Sequence, residues 1–221
     1  EDVIRQTHQP QSLAYAEHAR RAYLELAAVG AIHRSQSGHD EQPAAPLTLQ
    51  TLGRRASAFP GQFTGDQRAA VRGIAQELAK PVAMRAVLAA DVGTGKSWVA
   101  ELLAAAAADA GGRTLVMAPT YPLAVQLAEE FQRTFPDIPC VLVADGHDDS
   151  QASAATVVVG TSAVLTRSLG TFALVVVDEQ QRWSRAQRER YVTTRTHLLE
   201  MSANCIPRTQ SMIHFGKESV F

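Results

Sequence analysis

The sequence predicts an α/β fold: a central parallel sheet flanked by helices, preceded by a helical segment. Two observations predict it. Short, almost continuous apolar runs recur from about residue 61 onward: "RAVLAA", "TLVMAP", "CVLVAD", "TVVVG" and "FALVVVD". Helical patterns alternate with them, as in "SWVAELLAAAAADAGG" and "YPLAVQLAEEFQRTF". A strand that is apolar on both faces must be covered on both. The helices between the runs supply that cover, which makes the pairing parallel.

Taken in order, residues 11–35 place Leu13, Ala16, Ala19, Tyr23 and Leu26 at helical spacing, with Arg20 and Arg21 near the middle. This predicts an amphipathic helix. The polar stretch "SQSGHDEQPAAP" follows as a linker, so residues 1–60 form an N-terminal helical segment and linker, and residues 61–221 form the lobe. Thr64 and Gln67 have the spacing of a capping box for the helix after them. The pair Gly111–Gly112 stops the long alanine-rich helix in a left-handed cap.

Of the 221 residues, 46% are hydrophobic and 19% charged, and the net charge is −1. That is a soluble globular profile, and any polyanion site must be a local patch. Cys140 and Cys205 are far apart and outside any metal-ligand spacing, which fits thiols in a reducing compartment. There is no secretory signal and no apolar run of the roughly 18 residues that a membrane span needs. The expected location is the cytoplasm, with no membrane partner. The chain begins at Glu1 rather than Met and is expected to be part of a longer protein.

The chemistry begins at "ADVGTGKS", Ala90 to Ser97, a P-loop pattern with Ala in place of the first glycine. Across Asp91, Val92, Gly93, Thr94 and Gly95, small residues let backbone N–H groups turn inward on phosphate oxygens, and the following helix adds its positive end. Lys96 reaches the β- and γ-phosphates, and Ser97 puts its hydroxyl on Mg²⁺. A nucleotide hydrolase also needs a carboxylate at the end of a neighbouring strand. The run "ALVVVDE" supplies Asp178 for the Mg²⁺ shell and Glu179 to position the attacking water.

The stretch "FTGDQRAAVRGIAQELAKPVAMRAVLAADVGTGKSWVA" resembles the start of the helicase module of the RecG family and of transcription-repair coupling factors. "VMAPTYPLAVQLAEEF", "VVVGTSAVL", "LVVVDEQQRWSRAQRE" and "LLEMSANCIPRT" continue the resemblance in the family's order. It implies the first RecA-like lobe of a superfamily 2 DNA helicase, with ATP and Mg²⁺ as cofactors. It also implies branched or forked DNA as partner, and a second RecA-like lobe in further sequence or in another chain. By resemblance, Gln67 would read the adenine edge. Pro119, Thr120, Gly160, Thr161 and Ser162 would lie along a nucleic-acid backbone. Gln181, Ser202 and Asn204 would couple the nucleotide to DNA. The Gln67 side chain would serve the cap and the adenine in turn. Arg182, Arg185, Arg188 and Arg190 around Trp183 read equally as a solvated face or as part of the coupling segment.

The family's DEQH is Asp178-Glu179-Gln180-Gln181 here, its TAT is Ser202-Ala203-Asn204, and its GTH is Gly160-Thr161-Ser162. The phosphate and metal positions are kept, while the coupling positions have changed. A lobe of this kind working alone lacks the arginine finger of its partner lobe, worth about 10³–10⁵ in rate. The isolated chain is therefore expected to bind Mg-ATP, to hydrolyse it very slowly and not to unwind DNA. The alternative is a diverged non-motor module that uses nucleotide binding as a switch for DNA or protein binding.

Overall fold

The computed structural model describes residues 44–91, 93–202 and 219–221. The chain divides into two compact units, Glu1–Asp40 and Glu41–Phe221, and every described residue belongs to the second. The helix expected at 11–35 lies outside the described residues.

Among the described residues, seven strands form one sheet in the order β3-β4-β2-β5-β6-β1-β7, and every adjacent pair is parallel. They are β1 (Arg85–Ala89), β2 (Thr114–Met117), β3 (Cys140–Val143), β4 (Val157–Gly160), β5 (Leu174–Val177), β6 (His197–Ser202) and β7 (Ser219–Val220). The α-helices of the described residues are α1 (Leu52–Ala56), α2 (Gly65–Leu78), α3 (Lys96–Asp109), α4 (Tyr121–Thr134) and α5 (Arg185–Glu189). The parallel sheet and its flanking helices are as the sequence predicts, and β6 and β7 add to the expected strands.

Side chains alternate between two cores along β2, β4, β5 and β6. Val116, Val157, Val159, Leu174, Val176, Leu199 and Met201 join the core that holds the buried side of α3 and α4. Leu115, Met117, Val158, Val175, Val177 and Leu198 face a second core with Trp183 and Phe172. Helix α3 is buried without interruption from Val99 to Ala107. Alanine there combines high helix propensity with a thin side chain, so the helix can lie close to the sheet. Its end is a full Schellman motif. Gly111 is left-handed (φ 81), the Gly112 N–H donates to Ala107 O at 2.8 Å and the Gly111 N–H to Ala108 O at 2.9 Å.

Two expectations are corrected. Residues 44–60 are not a linker ahead of the lobe, because Leu47, Leu49 and Phe59 enter its core. Arg55 on α1 is buried and pairs with Asp109 at 2.6 Å and with Asp137 at 2.8 Å. The second correction concerns the strand bearing the Asp-Glu pair. β5 is not the neighbour of β1, because β6 lies between them. β6 is hard to read as a buried strand because His197, Glu200 and Ser202 are polar, yet each is at most 3% exposed. Each has a partner. His197 accepts at Nδ1 from the Met84 N–H (3.0 Å) and donates from Nε2 to Ala45 O (3.3 Å). Glu200 pairs with Arg188, and Ser202 bonds Gln181.

Candidate nucleotide site

In a parallel sheet, all strands end on one edge. Here that edge gathers the P-loop after β1, the Asp178–Glu179 pair after β5, and Ser202 at the end of β6. Ligands of open α/β sheets bind outside this edge.

The loop from Ala90 to Gly95 is wound by two left-handed glycines, Gly93 (φ 81) and Gly95 (φ 79), and Gly95 caps α3. At Gly95 a Cβ would also sit 2.4 Å from Gln67 Nε2, so a side chain there would displace the Gln67 amide. Lys96 Nζ donates to Ala90 O at 2.5 Å and to Asp91 O at 3.0 Å, so the ammonium folds back on its own loop. Thr94 Oγ1 donates to Asp91 O at 2.7 Å, and Ser97 is half-buried one position into the helix. Val92 lies outside the described residues.

Gln67 forms the predicted capping box, its Oε1 accepting from the Thr64 N–H at 2.8 Å. At the same time its Nε2 donates to Thr94 O at 2.8 Å. The two ends of an amide act independently, and Gln67 ties the cap of α2 to the P-loop in one conformation.

Asp178 and Glu179 form the most constrained turn of the edge. Glu179 has φ 48 and is the sole non-glycine with positive φ among the described residues. Such strain persists only where neighbouring bonds enforce it. Here they do: the Glu179 N–H donates to Asp178 Oδ1 at 2.9 Å, and Trp183 Nε1 donates to Asp178 O at 3.0 Å. Burial, reinforced by the Glu179 charge, pushes the Asp178 carboxyl above the usual carboxylate range, and the Lys96 charge opposes the shift. Gln181 Nε2 donates to Glu179 Oε2, and Gln181 Oε1 accepts from Ser202 Oγ at 3.0 Å. The result is a polar chain from Glu179 through Gln181 to β6. Asn204, the third position expected to couple, lies outside the described residues.

The arginines around Trp183 do not act as one group. Trp183 is buried and Arg188 pairs with the buried Glu200, whereas Arg185 pairs with Glu189 at 2.7 Å on the surface. Sequence reasoning missed both the tryptophan bond and the Arg188–Glu200 pair. The buried partner on β6 was the only signal, and it needs the sheet order to be seen.

The remaining loops lie on the other half of the same edge. Pro119 and Thr120 follow β2, and Thr120 is exposed with no side-chain cap bond. Gly160 is buried at the tip of β4, where a Cβ would meet Val164 Cγ1 at 2.4 Å and Val143 O at 2.7 Å. Thr161 spends both polar groups locally, its N–H on Val143 O (3.2 Å) and its Oγ1 on the Ala163 N–H (3.4 Å). Ser162 is exposed.

The chain is similar to the ATP-dependent DNA helicase RecG of Helicobacter pylori, 32% identical over 195 residues, which covers 82% of this chain and 31% of that protein. It is similar to the transcription-repair-coupling factor of Mycobacterium bovis, 31% identical over 216 residues, covering 88% of this chain and 17% of the other. The chain thus spans a third or less of the length of these relatives. Among solved structures, RecG bound to a three-way DNA junction superposes with a TM-score of 0.72 at 24% identity, over 99% of this chain and 32% of that one. The UvsW helicase of bacteriophage T4 superposes with a TM-score of 0.62 at 20% identity, over 81% of this chain and 69% of that one. These superpositions show the RecA-like fold. The family model for DEAD/DEAH box helicases matches residues 64–213, and the chain belongs to that family.

Proposed function

We propose that this chain is the ATP-binding lobe of a RecG-like DNA helicase or translocase, which uses ATP hydrolysis to move on or remodel branched DNA in recombination and repair. The observation that carries the reading is the polar chain Glu179–Gln181–Ser202, which ties the candidate hydrolytic carboxylate to the strand between it and the P-loop strand. A plain nucleotide-binding turn has no need of it. A motor does, because a change at the γ-phosphate has to be felt elsewhere in the lobe.

The residues fit Mg-nucleotide. The Ser97 hydroxyl and the Asp178 carboxylate are hard oxygen donors of the kind Mg²⁺ prefers, and Asp178 lies within the electrostatic reach of Lys96. When bound, the ion would neutralise charge on the phosphate oxygens. Lys96 would leave the Ala90 and Asp91 carbonyls and hold the β- and γ-phosphates. Asp91 to Gly95 would cradle them with backbone N–H groups. Glu179 would orient the attacking water while Gln181 holds its carboxylate. Gln67 would read adenine by exchanging its bond to Thr94 O, so base recognition would be felt in the P-loop. Pro119, Thr120, Gly160 and Ser162 would track a DNA backbone. Thr161 would hold the loop's shape. A second RecA-like lobe, outside these 221 residues, would supply the arginine finger.

The test is steady-state ATPase of the chain and of Lys96→Ala, with and without forked DNA, alongside a nucleotide-binding titration. Binding without appreciable turnover, lost in the variant, is the expected outcome. Robust unwinding by the isolated chain would overturn the half-site reading.

A further inference from the structure

Two large hydrophobic side chains are exposed among the described residues, Tyr121 (46%) and Val220 (43%). Val220 sits on the short edge strand β7, where exposure is ordinary. Tyr121 is different. It begins α4 directly after Pro119 and Thr120, on the C-terminal edge of the sheet. Its hydroxyl bonds Nε2 of His147 at 2.6 Å, and the two rings lie 5.3 Å apart with a tilt of 41°.

His147 follows β3 as Tyr121 follows β2, and β4 lies between those strands. Neighbouring strands are about 4.8 Å apart, so the pair closes a gap of nearly 10 Å beside the tip of β4. That tip is the Gly160–Ser162 loop. The Thr161 N–H bonded to Val143 O and the Ala118 N–H bonded to Gly160 O hold the three strand tips together beneath the pair. A surface tyrosine normally keeps its hydroxyl in water and its ring mobile. Here the hydroxyl is engaged, the ring is held against a second ring, and the aromatic surface stays open.

We propose that Tyr121 and His147 form a stacking platform for an unpaired base of single-stranded DNA. Aromatic faces are the general means of holding single strands without reading sequence. Charge decides which part of the strand the platform takes. Asp145 and Asp148, both exposed, flank His147, and Asp149 is paired with Arg167 at 2.5 Å. Carboxylates there repel phosphate, so the platform suits the uncharged base, while the Pro119–Thr120 and Gly160–Ser162 loops are left to the backbone. This proposal rests on the DNA-binding reading above and adds that an unpaired strand is contacted through a base.

The test uses the 221-residue chain and two fluorescein-labelled strands of about 20 units, oligo-dT and a matched strand of abasic spacers, with affinity read by anisotropy. The wild-type chain is expected to prefer oligo-dT about tenfold, within the range that one stacked base supplies. Tyr121→Ala should lose that preference while keeping its affinity for the abasic strand. Tyr121→Phe should keep part of the preference, because its ring can still stack but is no longer tied to His147. Equal binding of both strands by the wild-type chain, or an equal loss on both strands in Tyr121→Ala, would overturn the platform. Binding of neither strand by the wild-type chain would overturn the DNA-binding reading itself, a different result from bound strands without preference.

Discussion

At the tips of β1, β6 and β5, polar side chains bond one another, whereas the tips of β2, β4 and β3 leave most of theirs to water. On the first half, Lys96 donates to its own loop, Gln67 ties that loop to a helix cap, and Glu179, Gln181 and Ser202 are linked in series. On the second half, Thr120, Tyr121, His147 and Ser162 are all exposed, and among the described residues the side-chain bonds between these loops are Tyr121–His147 and Asp149–Arg167. The difference separates two ways of waiting for a ligand. The nucleotide half satisfies its polar groups internally and has to exchange those bonds for the ligand's. The other half is held from below by backbone bonds, with little to exchange.

The largest effect should come from the side chain that makes the exchange. Lys96→Ala should weaken nucleotide binding by about a hundredfold or more, since it removes the charge that replaces loop carbonyls with phosphate. Titration with a fluorescent nucleotide reads it, and unchanged affinity would mean that the loop does not bind phosphate. Next is the tie beneath the Asp-Glu turn. Arg188→Ala strands Glu200, which is 3% exposed, in the sheet and should cost about 3 kcal/mol in urea unfolding. The double change Arg188→Met with Glu200→Leu should recover most of that loss. No difference between the single and double variants would show that the pair is not a buried tie.

The two halves also differ in how far the sequence reveals them. The P-loop, the Asp-Glu pair and the strands bearing them could be read from local pattern, because apolar runs and small-residue turns are consequences of backbone geometry. The position of β6 could not. Its three polar residues hide a buried strand, and the partners that satisfy them, Arg188, Gln181 and the backbone of Met84 and Ala45, are all distant in sequence, 12 residues away for Glu200, 21 for Ser202 and more than 100 for His197. Gln67 was visible as a cap but not as a tether, since the Thr94 carbonyl is 27 residues away. Tyr121 and His147 carry no sequence signal as a pair. Only the order β3-β4-β2 brings their loops side by side.

A third prediction concerns the floor shared by both halves. Glu101 lies one turn below Ser97 on α3, 5% exposed, with Oε1 lacking a hydrogen-bond partner in a small cavity lined by Val116, Leu127 and Phe131. Burial, with a smaller contribution from the Glu130 charge, pushes its carboxyl up to about 8. The folded chain therefore keeps a proton that the unfolded chain releases above the usual carboxylate range. Stability should be free of this penalty in acid and should fall as pH rises toward 8. Glu101→Gln removes the titration, so it should be more stable than wild type by a few kcal/mol at pH 8 and nearly equal at pH 4. Urea unfolding across that range reads it. Parallel curves for the two proteins would show that Glu101 is ionised at no cost.

The smallest effect tests how tightly the nucleotide half is wired. Gln67→Ala removes one member of the α2 capping box and the bond to Thr94 O together. Only the side-chain half of the box is lost, because Thr64 Oγ1 accepts from the backbone N–H of residue 67, so the stability loss expected in the absence of ligand is below the roughly 1 kcal/mol of a whole cap. If the tether matters as well, nucleotide affinity should fall further than a cap defect explains, and Gln67→Glu separates the two. Glutamate keeps the Oε1 acceptor that bonds the Thr64 N–H, but it has no Nε2 donor for the Thr94 carbonyl. Near-normal stability with weakened nucleotide binding in Gln67→Glu would assign the loss to the P-loop bond and to the adenine contact proposed for the same donor. Equal affinity in Gln67→Glu and wild type would leave Gln67 as a cap and nothing more.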